Sequence, residues 1–213
     1  MYEFDKAKHL HTLDGKPLTG TTTILQVIAK PALIPWAVKV TADAVIEFLK
    51  TVTKGDFVMG YMADISKGVE EAKKAHRAKK ESAGDWGTQV HAWVESFANA
   101  SIAGTPAPLL LEGLQGESCK HFIEWATKNK VKFLESEKHI YSKEMWVGGI
   151  CDLVVEIDGQ KWIADVKTGS GIYPEHFWQM ASYEMCLKEM GLHDGVVGYI
   201  VLNLKKDRTF DEK

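Results

Sequence analysis

Apolar and polar residues alternate through GGICDLVVEIDGQKWIADVKTGSG, residues 148–171, pause at Asp158 and Gly159, and alternate again. A period of two interrupted by Asp-Gly predicts a β-hairpin, and VKFLESEKHIYS before it predicts a third strand. Elsewhere the period lengthens to that of a helix. WAVKVTADAVIEFLK, behind the breaks at Pro31 and Pro35, is one such stretch. DWGTQVHAWVESFANA is another, running to about Asn99 with Asp85 or Thr88 as its cap. Residues 112–130 are a third, with Phe122, Ile123, Trp125 and Ala126 as apolar positions. YPEHFWQMASYEMCLKEMG has Pro174 for its first turn and Gly191 for its stop. GVVGYIVLNL predicts a last buried strand and KKDRTFDEK a charged tail; AGTPAP is a loop. The start holds a small hairpin turning at Asp14 and Gly15, then TTTILQVIAK, a helix capped by one of its threonines. This order predicts an α/β fold, a mixed central β-sheet flanked by helices with a helical amino-terminal region. We expect one domain over residues 1–213, mainly helical over 1–84, with the core over 85–204.

A two-residue turn at Asp158 and Gly159 fixes the register. Ile157 then faces Gln160, and Glu156 with Lys161, Val154 with Ile163, Asp152 with Asp165 and Ile150 with Lys167 are opposed pairs on one face. Leu153 with Ala164 and Val155 with Trp162 fill the other face as ordinary core. Two carboxylates with Cβ atoms ~5 Å apart repel each other. A divalent cation would neutralise both and take oxygen ligands from both. Lys167, on the same side, suits stabilising a developing negative charge or positioning an attacking water. The competing reading is a solvated hairpin whose Asp and Lys residues pair in water, and the apolar residues between them argue against it.

The chain has 213 residues and is 45% hydrophobic, enough for a real core. Its formal charge of -3 demands no polyanionic partner, although a local basic patch suffices for phosphate. Cys119, Cys151 and Cys186 are scattered and odd in number, a pattern that fits neither a disulfide framework nor a zinc or iron–sulfur cluster. Seven methionines and no signal-peptide pattern suggest a cytoplasmic protein, and no apolar run approaches the ~20 residues that span a membrane.

Other residues carry two readings each. Lys67, Lys73, Lys74, Arg77, Lys79 and Lys80 form either a solvated helix face, which is favoured, or a phosphate-tracking patch. His91 and Glu95 are four apart and share a helix face; Glu95 is either a partner for His91 or a solvated charge, the latter favoured. Glu135 and Glu137 alternate onto one face of their strand; they are either extra metal ligands or, as favoured, exposed. Trp86, Trp93, Trp125, Trp146, Trp162 and Trp178 are assigned to the core, and base stacking by Trp86 or Trp146 is not favoured.

Four motifs in order resemble the PD-(D/E)XK nuclease superfamily: GTQVHAWVE with His91, GGICD with Asp152, DVK with Asp165 and Lys167, and QMASY with Gln179 and Tyr183. The last motif is similar to the Q-x-x-x-Y element of the RecB-like exonuclease branch, and TTTIL…KPALIPWAVK resembles the opening of phage-encoded members. The motifs cover roughly residues 86–204. The resemblance implies a restriction-endonuclease-like core and a metal-dependent DNA exonuclease of repair, recombination or phage DNA metabolism. It implies one or two Mg²⁺ or Mn²⁺ ions held by His91, Asp152, Asp165 and the Val166 carbonyl. Lys167 would orient or help deprotonate the attacking water, and Gln179 and Tyr183 would brace the site and contact DNA. Some relatives carry a four-cysteine iron–sulfur cluster, which three cysteines cannot supply. The implied partner is DNA, as single- or double-stranded ends, with a recombinase or single-strand-binding protein as a further one, in a bacterial or phage-infected host cytoplasm. A structure-specific or nicking endonuclease, or a non-catalytic DNA-binding protein on a nuclease fold, are the alternatives.

Overall fold

The Asp158 and Gly159 turn forms as its residues dictate: in the computed structural model both take positive φ, 50° and 77°, as a type I′ hairpin turn requires. The structure describes residues 1–25, 33–51, 61–206 and 209–213, without the side chains of 33, 49–51, 61–69, 73 and 76–84. In chain order the elements are β1 (Tyr2–Asp5), β2 (Leu10–Leu13), β3 (Lys16–Pro17), β4 (Thr19–Gly20), α1 (Thr21–Leu25), α2 (Leu33–Thr51) and α3 (Tyr61–Ala103). They continue with α4 (Gly113–Lys128), β5 (Lys132–Ser142), β6 (Val147–Ile157), β7 (Gln160–Lys167), α5 (Pro174–Glu189), β8 (Val196–Leu204) and β9 (Phe210–Glu212). The protein is α/β, with a mixed sheet flanked by helices.

Several expectations need correction. No helix starts at Asp85 or Thr88, because α3 runs through both. No proline interrupts it, and a glycine inside a helix costs only about 1 kcal/mol. Pro35 lies within the first turn of α2 rather than before it, where its missing N–H leaves no bond unmade. The hairpin expected at Asp14 and Gly15 does form, with positive φ at both, and β1 adds to it as a third antiparallel strand. The charged tail holds β9, which pairs antiparallel with β8. The described chain divides into two compact units, Met1–Val27 with Gly87–Lys213, and Ile28–Trp86. The first strands thus belong with the core. In the second unit Lys74 is exposed; the side chains of Lys67, Lys73, Arg77, Lys79 and Lys80 lie outside the described residues, as does the end of the helix expected over TTTILQVIAK beyond Leu25. No helix among the described residues is long and apolar enough to cross a membrane.

In the first unit, β6 organises the sheet. It pairs with β5 along its length and with β7 over Leu153–Ala164 to Ile157–Gln160. It also pairs in parallel with β4 at Val147 and Gly148. A strand has two edges, so β4 and β7 share the edge opposite β5. Residues 149–152 on that edge have no ladder partner among the described residues. Beyond Ala164, β7 continues alongside β8 alone, in parallel from Lys161–Val196 to Lys167–Asn203, and the β7–α5–β8 connection is the helical crossover that parallel strands need.

Side-chain alternation covers both faces of the sheet. Leu134 packs with Ile140, Val154, Ile163 and Val201 beneath Met180, Tyr183 and Leu187 of α5. Its neighbour Phe133 points the other way, into rings from α3 and α4. Phe133 lies 6.0 Å from Phe97 and 5.9 Å from Phe122, and Trp93 lies 5.3 Å from Phe97. Pro174 begins α5, Tyr173 N–H donates to His176 Nδ1, and Gly191 with φ 69° follows its end, an N-terminal proline and C-terminal glycine pattern.

Candidate metal centre

The hairpin register holds as far as Leu153 opposite Ala164 and no further. The expected rungs Asp152–Asp165 and Ile150–Lys167 are absent from the ladder. A regular continuation would send the Val166 N–H toward the backbone of residue 151. Instead that N–H donates to Asp152 Oδ2 at 2.9 Å. The strands part where their aspartates would otherwise be forced together, and Asp152 takes a backbone hydrogen bond in exchange. The two carboxylates still feel each other.

Across β6 a second irregularity faces the same place. Ser136 pairs with Leu153 and Lys138 with Cys151, which puts Glu137 across from Asp152 with a left-handed φ of 47°. A non-glycine residue there is strained, and such strain concentrates at functional sites. Glu135 and Glu137, two apart on β5, nevertheless have different neighbours. Glu135 is tied to Lys138 at 3.0 Å and His193 at 3.1 Å. Glu137, half-buried rather than exposed, joins His91 of α3 and Asp152, and one ligand atom from each lies within 4.8 Å of the other two. His91 Nδ1 is 3.7 Å from Asp152 Oδ2, too far for a hydrogen bond. Ligands held at about 2.1 Å by an octahedral cation sit at most ~4.2 Å apart. One imidazole with two carboxylates gathered in this way suits Mg²⁺ or Mn²⁺.

Asp165 is not part of that trio. It is fully buried, with Oδ2 2.6 Å from Lys167 Nζ. That contact lacks hydrogen-bond angles, and neither oxygen has a hydrogen-bond partner among the described residues. Burial and the Asp152 charge, opposed by Lys167, push its pKa up to about 7. Glu137 rises to about 7 as well, through burial and then the charges of Asp152 and Glu95. Glu95 thus reaches the site as a fourth carboxylate rather than as a bonded partner of His91. Burial works against the Lys167 ammonium, but Asp165 and Asp152 outweigh it and hold the pKa above its ordinary value.

α5 completes the site. Gln179 Oε1 lies 3.3 Å from Lys167 Nζ, and Gln179 Nε2 donates to the Tyr183 hydroxyl. Tyr183 is buried in the core under α5, so it braces Gln179 and presents no surface to a polymer. Val166 enters through its N–H. Asn203 is fully buried on β8, and with its side-chain amide turned so that the nitrogen faces the carbonyls of Lys167 and Gly169, 3.2 Å away, it would donate to both and tether the end of β7 to the following turn. Asn203 is not among the residues that the sequence singles out, although a lone polar residue in an apolar strand is a signal for it. Glu137 carries two readings in the sequence, extra metal ligand or exposed, and the structure favours the first.

No protein-family model matches the chain, and no curated protein matches it.

Proposed function

We propose that the protein is a metal-dependent deoxyribonuclease that hydrolyses phosphodiester bonds at DNA ends, built on a restriction-endonuclease-like core. One observation carries this reading. His91, Glu137 and Asp152 converge at the parting of β6 and β7, beside a buried carboxylate, Asp165, that lacks a hydrogen-bond partner among the described residues. Crowding anionic groups in a buried place destabilises a fold, and a divalent cation removes that cost. The order of His91, Asp152, Asp165, Lys167, Gln179 and Tyr183 resembles the RecB-like exonuclease branch.

His91, Glu137 and Asp152 would hold Mg²⁺ or Mn²⁺, with Asp165 and the Val166 carbonyl as the further ligands that the resemblance implies. A bound cation would acidify water and polarise the phosphate. The chain's own residues do the rest. Lys167 keeps its proton at neutral pH, since its pKa is raised. Its part is to donate a hydrogen bond to an anionic phosphate oxygen or to hold the attacking water, not to take a proton. Gln179 fixes the ammonium, and Tyr183 fixes Gln179. The Val166 N–H holds Asp152 through Oδ2, the same oxygen that lies 3.7 Å from His91 Nδ1.

Incubation with Mn²⁺ and equal amounts of linear and closed circular DNA tests the reading. The linear form should disappear while the circle persists, and Asp152→Ala and Lys167→Ala should remove the activity. Loss of the circle at the same rate would favour an endonuclease. Full activity in either variant would overturn the assignment.

A further inference from the structure

We propose that Lys6, at the tip of the β1–β2 hairpin, is a substrate-binding residue of the metal centre that holds the DNA backbone phosphate next to the one cut. The proposal rests on the nuclease reading above.

β1 lies along β5 in the opposite direction, ring against ring. Tyr2 stacks on Tyr141 at 5.2 Å, and Phe4 meets His139 edge-on at 5.2 Å. Each step of two along β1 is thus a step of two back along β5, as the alternation of strand side chains requires. The next step leads from Phe4 to Lys6 and from His139 to Glu137. The charge of Lys6 does reach the Glu137 carboxyl, where it works against burial and the charges of Asp152 and Glu95. The hairpin fits closely against the sheet. Gly148 of β6, opposite Tyr141, comes so near that a Cβ there would lie 3.0 Å from His11 Cβ, and His11 Nδ1 is 2.6 Å from the Tyr2 hydroxyl. The turn itself is pinned by Asp5, whose Oδ1 accepts the Lys8 N–H at 3.0 Å.

The two lysines of the turn differ. Lys8 Nζ is 3.6 Å from Asp5 Oδ2. Lys6 is exposed, and it has no hydrogen bond or ion pair among the described residues. The competing reading makes Lys6 a counter-charge that steadies the metal-free carboxylates. A counter-charge in that role would stand in an ion pair with one of them, as Lys167 does with Asp165 at 2.6 Å. Once a divalent cation neutralises the carboxylates, the Lys6 ammonium is a free donor at the edge of the centre, and a phosphate oxygen is the acceptor that suits it. Lys6 approaches from the β5 side of β6 and Lys167 from the β7 side. Those outer strands lie two spacings, roughly 10 Å, apart, which gives the two ammonium groups separate phosphates.

Fluorescence anisotropy of a labelled oligonucleotide, single-stranded and duplex, in Ca²⁺ between about 50 and 200 mM salt tests the proposal with wild type, Lys6→Gln, Lys6→Arg and Lys8→Gln. Lys6→Gln should weaken binding by about 3- to 5-fold, as losing one exposed charge contact does. It should also lower the slope of log affinity against log salt by about 0.7 on single strands or about 0.9 on duplex, the share of one phosphate contact. Lys6→Arg should keep the slope. Lys8→Gln, with the same change of net charge in the same turn, should match wild type. With Mn²⁺, Lys6→Gln should raise KM and leave kcat little changed. An unchanged slope in Lys6→Gln, an equal drop in Lys8→Gln, or no DNA binding by wild type would overturn the proposal. Lower metal-free stability of Lys6→Gln with an unchanged slope would assign Lys6 to the counter-charge role instead. If wild type cleaves DNA with Mn²⁺ while Lys6→Gln keeps the wild-type slope, this proposal alone falls; failure to cleave any DNA would sink the nuclease reading.

Discussion

Replacing Asp165 with asparagine should flatten the pH dependence of stability in the metal-free protein. The carboxyl has a pKa of about 7 in the fold against 3.8 as its ordinary value. A carboxyl whose folded pKa lies above its unfolded one stabilises the fold fully below the unfolded value. That contribution is lost as pH rises through the folded value. For Asp165 the loss falls mainly between pH about 5 and 8, and over that window it amounts to roughly 2–3 kcal/mol at 1.36 kcal/mol per pKa unit. Glu137 titrates in the same window and shares part of the effect, because both carboxyls respond to Asp152. Urea denaturation in EDTA at pH 5, 6, 7 and 8 measures it. Wild type should become less stable toward pH 8, and Asp165→Asn should lose at least ~1 kcal/mol of that slope. Identical slopes, or a wild type that gains stability toward pH 8, would refute the placement of Asp165 as a buried carboxylate crowded by Asp152.

Three further outcomes follow from the geometry. Glu137→Gln should weaken Mn²⁺ binding by roughly tenfold or more, about 1.4 kcal/mol, in calorimetry. Glu135→Gln should not, because Glu135 is committed to His193 and Lys138. Tyr183→Phe removes the acceptor for Gln179 Nε2; it should cost about 1 kcal/mol in denaturant unfolding and lower kcat with little change in KM. Gly149→Ala would bring a methyl to 2.7 Å from Thr21 Oγ1 and 3.2 Å from Tyr183 Cε1. That overpacking should cost about 1–3 kcal/mol, and unfolding of the variant would measure it.

The hairpin was legible because local chemistry decides it: Asp158 and Gly159 accept positive φ, and five pairs from Ile157–Gln160 to Leu153–Ala164 follow from that turn alone. The same arithmetic failed one pair further. Charge repulsion between Asp152 and Asp165, the Asp152 bond to the Val166 N–H and the seat of β4 on the same edge together outweigh continued pairing. None of these is a local property. α5 was legible from Pro174 and Gly191, and His91 was placed by its helix. Glu137 was legible only as the less favoured of its two readings, since nothing in the alternation of its strand shows the left-handed φ it takes. β9 was missed because Phe210 is its one apolar residue and β8 supplies its pairing. Trp178 was misassigned because composition places a tryptophan inside, and here a helix face leaves it out.

On the proposed function, the groups gathered around Asp152 and Asp165 cleave DNA with a divalent cation. The most direct measurement is release of label from end-labelled single- and double-stranded DNA, with Mn²⁺ and with EDTA, by wild type and by Asp165→Ala. Wild type should release nucleotides with Mn²⁺ and not with EDTA, and Asp165→Ala should release none at any metal concentration. Intact DNA with wild type and Mn²⁺, or equal release by Asp165→Ala of the same purity, would contradict it.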